Sequence, residues 1–123
     1  MKITTDSQSP SEEATVRDHF HGAVAQELIH QHPGAVRVLM VRFEAGARTD
    51  WHTHDGGQVL HIIDGSGLVQ TEGEEVRKVD SGDLVVAEPG EKHWHGAGES
   101  APMVHLAVSV GETKWLESAA DGR

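Results

Sequence analysis

The sequence predicts an all-β sandwich or barrel, on three observations. Turn signals recur about every ten residues, Val and Ile dominate the short segments between them, and helical character shows in one short stretch alone. In chain order, Met1 to about Asp18 is polar, carries "SQSPSEE" and lacks periodicity, so it is expected to be a mobile arm ahead of one domain over residues 19–123. "GAVAQELIH" ends at the turn "QHPG". In "AVRVLMVRFEAG", Leu39, Val41 and Phe43 alternate, and should wall the interior together with Leu60 and Ile62. The stretch "GARTDWHTHDGGQVLHIIDG" follows, then "GLVQTEG", "EEVRKVDSGD", "LVVAEPGEKHWHGAGESAP" and "MVHLAVSVG". The end, "ETKWLES", suggests a short helix.

Composition bounds the function. At 123 residues the chain is one domain, large enough to bury a core without staples. It has no cysteine, so it forms no disulfide and offers no thiolate to a metal. The N-terminus lacks the apolar stretch of a signal peptide and no run is long enough to span a membrane, so a cytoplasmic protein is expected. A formal net charge of −10 disfavours nucleic acid and anionic lipid as partners and leaves a small molecule as the expected ligand. Histidine is the anomaly, at ten residues, and its neutral form is the one that binds metals.

Strand alternation puts His52 and His54 on one face. With Asp55–Gly57 read as a three-residue hairpin turn, Gln58 falls opposite His54 and Leu60 opposite His52. Two imidazoles and an amide oxygen then converge, a sensible donor set for a divalent first-row metal. A fourth donor is expected from His93, which follows the rigid Pro89-Gly90 turn, with His95 on the same face. Spacing by itself is weak evidence, because His-x-His also occurs at His19/His21 and His30/His32, which read as solvated or packed side chains. Trp51, Trp94 and His61 have the opposite parity and read as packing or dimer residues.

These residues carry a resemblance. Gly46-x5-His52-x-His54-x3-Gln58-x6-Gly65 resembles the first cupin motif, with Gln where most members have Glu, and Gly82-Asp83-x5-Pro89-Gly90-x2-His93 resembles the second. The resemblance implies a jelly-roll barrel, a double-stranded β-helix of six to eight strands, with one metal inside and a homodimeric state. It makes His52, His54, Gln58 and His93 the expected ligands. "GARTDWHTH", "PGEKHWHGA" and "MVHLAV" are similar to the bacterial manganese cupins that act as (R)-selective hydroxynitrile lyases, and to cupins that accompany carboxymuconolactone decarboxylase domains. That likeness implies that His105 is a base and that His95 and Thr49 line its pocket.

Three imidazoles and an amide, all neutral, leave the full 2+ charge on a bound ion, which favours Lewis-acid chemistry and anionic ligands. Four protein donors with two open positions suit Mn, with Fe, Ni or Zn as alternatives. The expected activity is a lyase acting on small α-hydroxynitriles. A dioxygenase and a non-catalytic, metal-dependent sensor are the alternatives.

Overall fold

A computed structural model describes residues 1–5, 14–16 and 18–119. Among them are twelve strands and no helix: β1 (Ala14–Val16), β2 (Phe20–His21), β3 (Val24–His32), β4 (Val36–Phe43), β5 (Arg48–Thr49), β6 (His52–His54), β7 (Gln58–Thr71), β8 (Arg77–Asp80), β9 (Leu84–Ala87), β10 (His93–Ala97), β11 (Met103–Val110) and β12 (Thr113–Trp115). All pairings are antiparallel. The strands run β1-β3-β4-β11-β7-β10-β5-β2, with β8 and β9 added on β7, and with β6 between β10 and β12. The result is a nearly closed β-barrel of two facing sheets.

The long strand β7 joins the two sheets. Its first half pairs with β11 and β9, through Ser109↔Gln58 and Gln58↔Ala87, and its second half pairs with β8 and β10. The change of sheet falls at Gly65. Its φ of +76° is a left-handed conformation, and a Cβ there would sit 2.0 Å from the Pro102 carbonyl oxygen, so no other residue fits.

The interior is lined by the alternation seen in the sequence. Leu39, Val41, Phe43, Leu60, Ile62, Met103 and Ala107 are buried, and the β11 burial pattern alternates along its whole length. His61 is exposed, as its parity requires. Trp94 is 1 % exposed within one chain, with the Arg48 guanidinium 4.3 Å from its ring centroid and its indole N–H donating to Gln70 Oε1, so it is a packing residue.

Three expectations need revision. First, "ETKWLES" is not helical. Thr113–Trp115 forms β12 against β6, because alternation turns Thr113 and Trp115 inward against the histidines while Lys114 stays in solvent. Second, β6 and β7 do not form a hairpin pair. His52 lies opposite His93 of β10 and Trp115 of β12, while Gln58 pairs in the other sheet. Asp55–Gly57 is therefore a crossover between sheets. Gly57, at φ +89°, makes it, and a Cβ there would meet the Ala87 carbonyl oxygen at 2.7 Å. Third, within the segment expected to be an arm, Ala14–Val16 is an edge strand on β3. Residues 6–13 and 17 of that segment lie outside the described residues.

Candidate metal centre

The crossover changes how the polar side chains meet but not that they meet, because both sheets turn the relevant face to the barrel interior. His52, His54, Gln58, His93, His95 and His105 are all buried there. The His52 ring lies 4.9 Å from His54, 4.4 Å from His93 and 5.1 Å from His95 between centroids. One ring nitrogen from each of His52, His93 and His95 lies within 4.8 Å of the other two, so these three could hold a metal ion.

Hydrogen bonds sort the group further. His52 Nδ1 donates to the Asp50 carbonyl at 2.8 Å, and His93 Nδ1 donates to the Glu91 carbonyl at 2.9 Å. A carbonyl can only accept, so in both neutral rings Nε2 is bare. His54 Nδ1 meets Thr113 Oγ1 at 2.9 Å, and its buried Nε2 has no hydrogen-bond partner. Gln58 Nε2 donates to Ser109 Oγ at 2.9 Å, which turns Oε1 to within 3.1 Å of His93 Nε2. Two acceptors facing at that distance are reconciled by a cation between them. Turned over, the same amide would donate to His93 and accept from Ser109, the arrangement expected when no cation is bound. Each of these four side chains thus has one polar atom fixed by a neighbour and the other left for the interior, the arrangement by which proteins orient metal ligands.

His95 and His105 form a separate pair. His105 Nε2 and His95 Nδ1 are 3.0 Å apart, and the remaining nitrogens, His105 Nδ1 and His95 Nε2, are buried without a partner. Thr49, itself buried, accepts the His95 backbone N–H on Oγ1 at 3.3 Å.

All five imidazoles are neutral at pH 7. Burial pulls His54 down to about 4, with the His93 charge adding to it, and burial pulls His105 to about 4 against a smaller opposing effect of its own backbone carbonyl. Burial holds His52 and His95 well below 6.5, with neighbouring imidazoles adding to the effect. Burial also lowers His93, with the hydrogen bond to Glu91 and the Glu91 charge opposing it. Neutral imidazoles are ready to ligate without first losing a proton.

His52, His54, Gln58, His95 and His105 line one cavity together with Phe20, Leu39, Val41, Ala107 and Trp115, and His93 stands behind its wall. The cavity's volume is about 60 Å³, against the ~10–15 Å³ that one water needs, so it has room for more than a single water. Its polar wall includes Arg37, Ser109 and Thr113, which the sequence reading passed over. Ser109 and Arg37 each extend an inward-facing alternation by one step, from Met103, His105 and Ala107 and from Phe43, Val41 and Leu39, and that parity was the available signal. The other pairs lie elsewhere. His19 stacks on Trp115, His21 contacts Asp50 at 2.6 Å, and His30 contacts His32 at the surface.

The fold and the cluster define a small single-barrel protein with a metal-competent histidine site, and the chain belongs to the cupin family: residues 39–109 match the Cupin domain. It is similar to an (R)-mandelonitrile lyase of Granulicella tundricola, at 42 % identity over 110 residues that cover 85 % of this chain and 84 % of that one. Among solved structures it is similar to a cupin-like protein of Thermotoga maritima, with a TM-score of 0.84, 33 % identity and coverage of 89 % and 88 %. A predicted oxalate decarboxylase of the same organism shares the fold, with a TM-score of 0.76 at 19 % identity, covering 90 % of this chain and 100 % of that one.

Proposed function

We propose that this chain is a metal-dependent lyase that cleaves small α-hydroxynitriles into a carbonyl compound and cyanide. The observation that carries the reading is the His95–His105 pair, buried in the cavity wall beside four oriented donors. The 42 % identity to a mandelonitrile lyase supports the choice of reaction. His52, His54, Gln58 and His93 are the proposed ligands. They are preferred to a set containing His95 because the second nitrogen of His95 is engaged by His105, a cavity residue, rather than by a backbone or hydroxyl group behind it. A divalent ion held there, with Mn the proposed one, supplies Lewis acidity that makes a nearby hydroxyl acidic enough for a weakly basic imidazole to deprotonate.

The pair's chemistry follows from counting protons. Two neutral imidazoles carry one N–H each, and one of these must lie in the contact between His105 Nε2 and His95 Nδ1. The two outward nitrogens are therefore one bare and one protonated, whichever tautomer holds. The bare nitrogen takes the substrate's hydroxyl proton. As the C–C bond breaks, the oxygen's electron pair becomes the carbonyl bond and the cleaved pair leaves with cyanide. The protonated nitrogen meets that anion and returns a proton as hydrogen cyanide. Thr49 fixes the His95 backbone, and the apolar wall from Leu39, Val41 and Ala107 receives the rest of the substrate.

The test follows benzaldehyde released from each enantiomer of mandelonitrile, using protein stripped by a chelator and reloaded with Mn, Fe, Ni or Zn. Release from one enantiomer, restored by Mn, is expected. No release above buffer with any of the four metals would overturn the reading.

A further inference from the structure

Arg37 is half-buried and lines the cavity, yet among the described residues it has no hydrogen-bond or ion-pair partner. Its place in the sheet is fixed by register. Arg37 on β4 lies opposite Ser109 on β11, and Ser109 lies opposite Gln58 on β7. Directly opposed residues share a face, so Arg37, Ser109 and Gln58 form one inward-facing row. Two strand spacings, about 10 Å, separate the Arg37 backbone from that of Gln58, and the guanidinium stem can cover much of that gap. Arg37 is also near enough to His54 for its charge to disfavour protonation there.

Charge makes the placement informative. The chain carries 20 acidic residues, and among the described ones none lines this cavity, whereas one arginine does. The cavity's remaining polar groups are uncharged at pH 7. A cavity with a guanidinium, neutral walls and no counter-ion is an electrostatic trap for an anion.

We propose that Arg37 is the anchor for a carboxylate, and that the ligand is a small organic acid with a hydroxyl or carbonyl oxygen a few carbons away, facing His52, His54 and Gln58. The fork of the guanidinium matches the two oxygens of a carboxylate in a way a point charge does not. The apolar wall then covers the carbons between the two ends. This rests on the cavity assigned to the lyase reading but not on its reaction, since cyanohydrin cleavage needs no carboxylate. Combined with that reading, it makes the substrate class α-hydroxynitriles bearing a terminal carboxylate.

Calorimetric titration of metal-loaded protein with 4-oxopentanoate and with its methyl ester tests it, alongside azide as an anion that needs no guanidinium. The acid is expected to bind on the order of 10–100-fold more tightly than the ester, the span of a charge-assisted hydrogen bond. That preference should vanish in Arg37→Met and survive in part in Arg37→Lys, with azide binding kept in both as evidence of an intact site. Equal binding of acid and ester by the unaltered protein would overturn the proposal, as would an unchanged preference in Arg37→Met. Mandelonitrile cleavage measured on the same preparations separates the two ideas. Turnover without a carboxylate preference defeats the anchor alone, and a carboxylate preference without turnover defeats the lyase reading alone.

Discussion

Lowering the pH should destabilise the metal-free barrel, and His105 allows the size to be worked out. This side chain is wholly buried and titrates at about 4, against 6.5 in an unfolded chain. Between those two values the unfolded imidazole takes up a proton and the folded one does not. The unfolded state binds more protons, so stability falls as pH drops through this window, is fully present above about 7 and levels off below about 4. The interval, at ~1.4 kcal/mol for each pH unit, is worth about 3 kcal/mol for His105 alone. Burial pushes His52, His54, His93 and His95 the same way, while a domain of this size has only ~5–15 kcal/mol in total. Urea denaturation of the stripped protein at several pH values from 7.5 to 4.5 reads the slope directly. His105→Leu should flatten it by about 3 kcal/mol over the window. A stripped protein equally stable at pH 7 and pH 5 would refute the reasoning, because buried imidazoles with lowered affinity for protons cannot leave stability unchanged there.

Other expectations follow from the same geometry. His52→Ala and His93→Ala should abolish metal retention, measured by elemental analysis of protein purified without chelator, and near-stoichiometric metal in both would remove the ligand assignment. Ser109→Ala and Thr113→Val leave the four proposed ligands in place but free Gln58 and His54 to rotate, so metal affinity should fall ~10–100-fold in a competitive chelator titration. Gln58→Glu lowers the net charge of the site, so metal should bind more tightly and azide more weakly, by on the order of tenfold or more; azide affinity that holds or rises would show that the neutral amide has no tuning role. The exposed Val59, Ile63, Leu84 and Val86 of β7 and β9 make an apolar outer face, and light scattering should give a homodimer rather than a 13.3 kDa monomer.

Much of the site was legible because strands alternate. His52 and His54 could only share a face, and Met103, His105 and Ala107 likewise, and the barrel kept those faces inside. What the sequence could not convey was partnership. Asp55-Gly56-Gly57 has the composition of a hairpin turn, but glycine permits a crossover equally well, and the choice is made by β10 and β12 taking both edges of β6. Distance in sequence also hid β12: "ETKWLES" is too short to show a period, and its strand exists because Thr113 and Trp115 find His54 and His52, 59 and 63 residues earlier. Arg37 was passed over for a different reason. An arginine in a strand reads as solvated, which outweighs its shared parity with Leu39, Val41 and Phe43, and the register with Ser109 and Gln58 shows that it faces in.

The central claim is a division of labour, with four side chains holding a metal and the His95–His105 pair moving the proton. The most direct measurement is the ratio of mandelonitrile cleavage rate to bound metal in His105→Phe and in the unaltered protein, with metal counted on the same samples. The account predicts about one metal per chain in both and a rate lower by ~10²–10⁴ in the variant, the usual worth of a positioned acid–base group. A variant that keeps its metal and its full rate would contradict it.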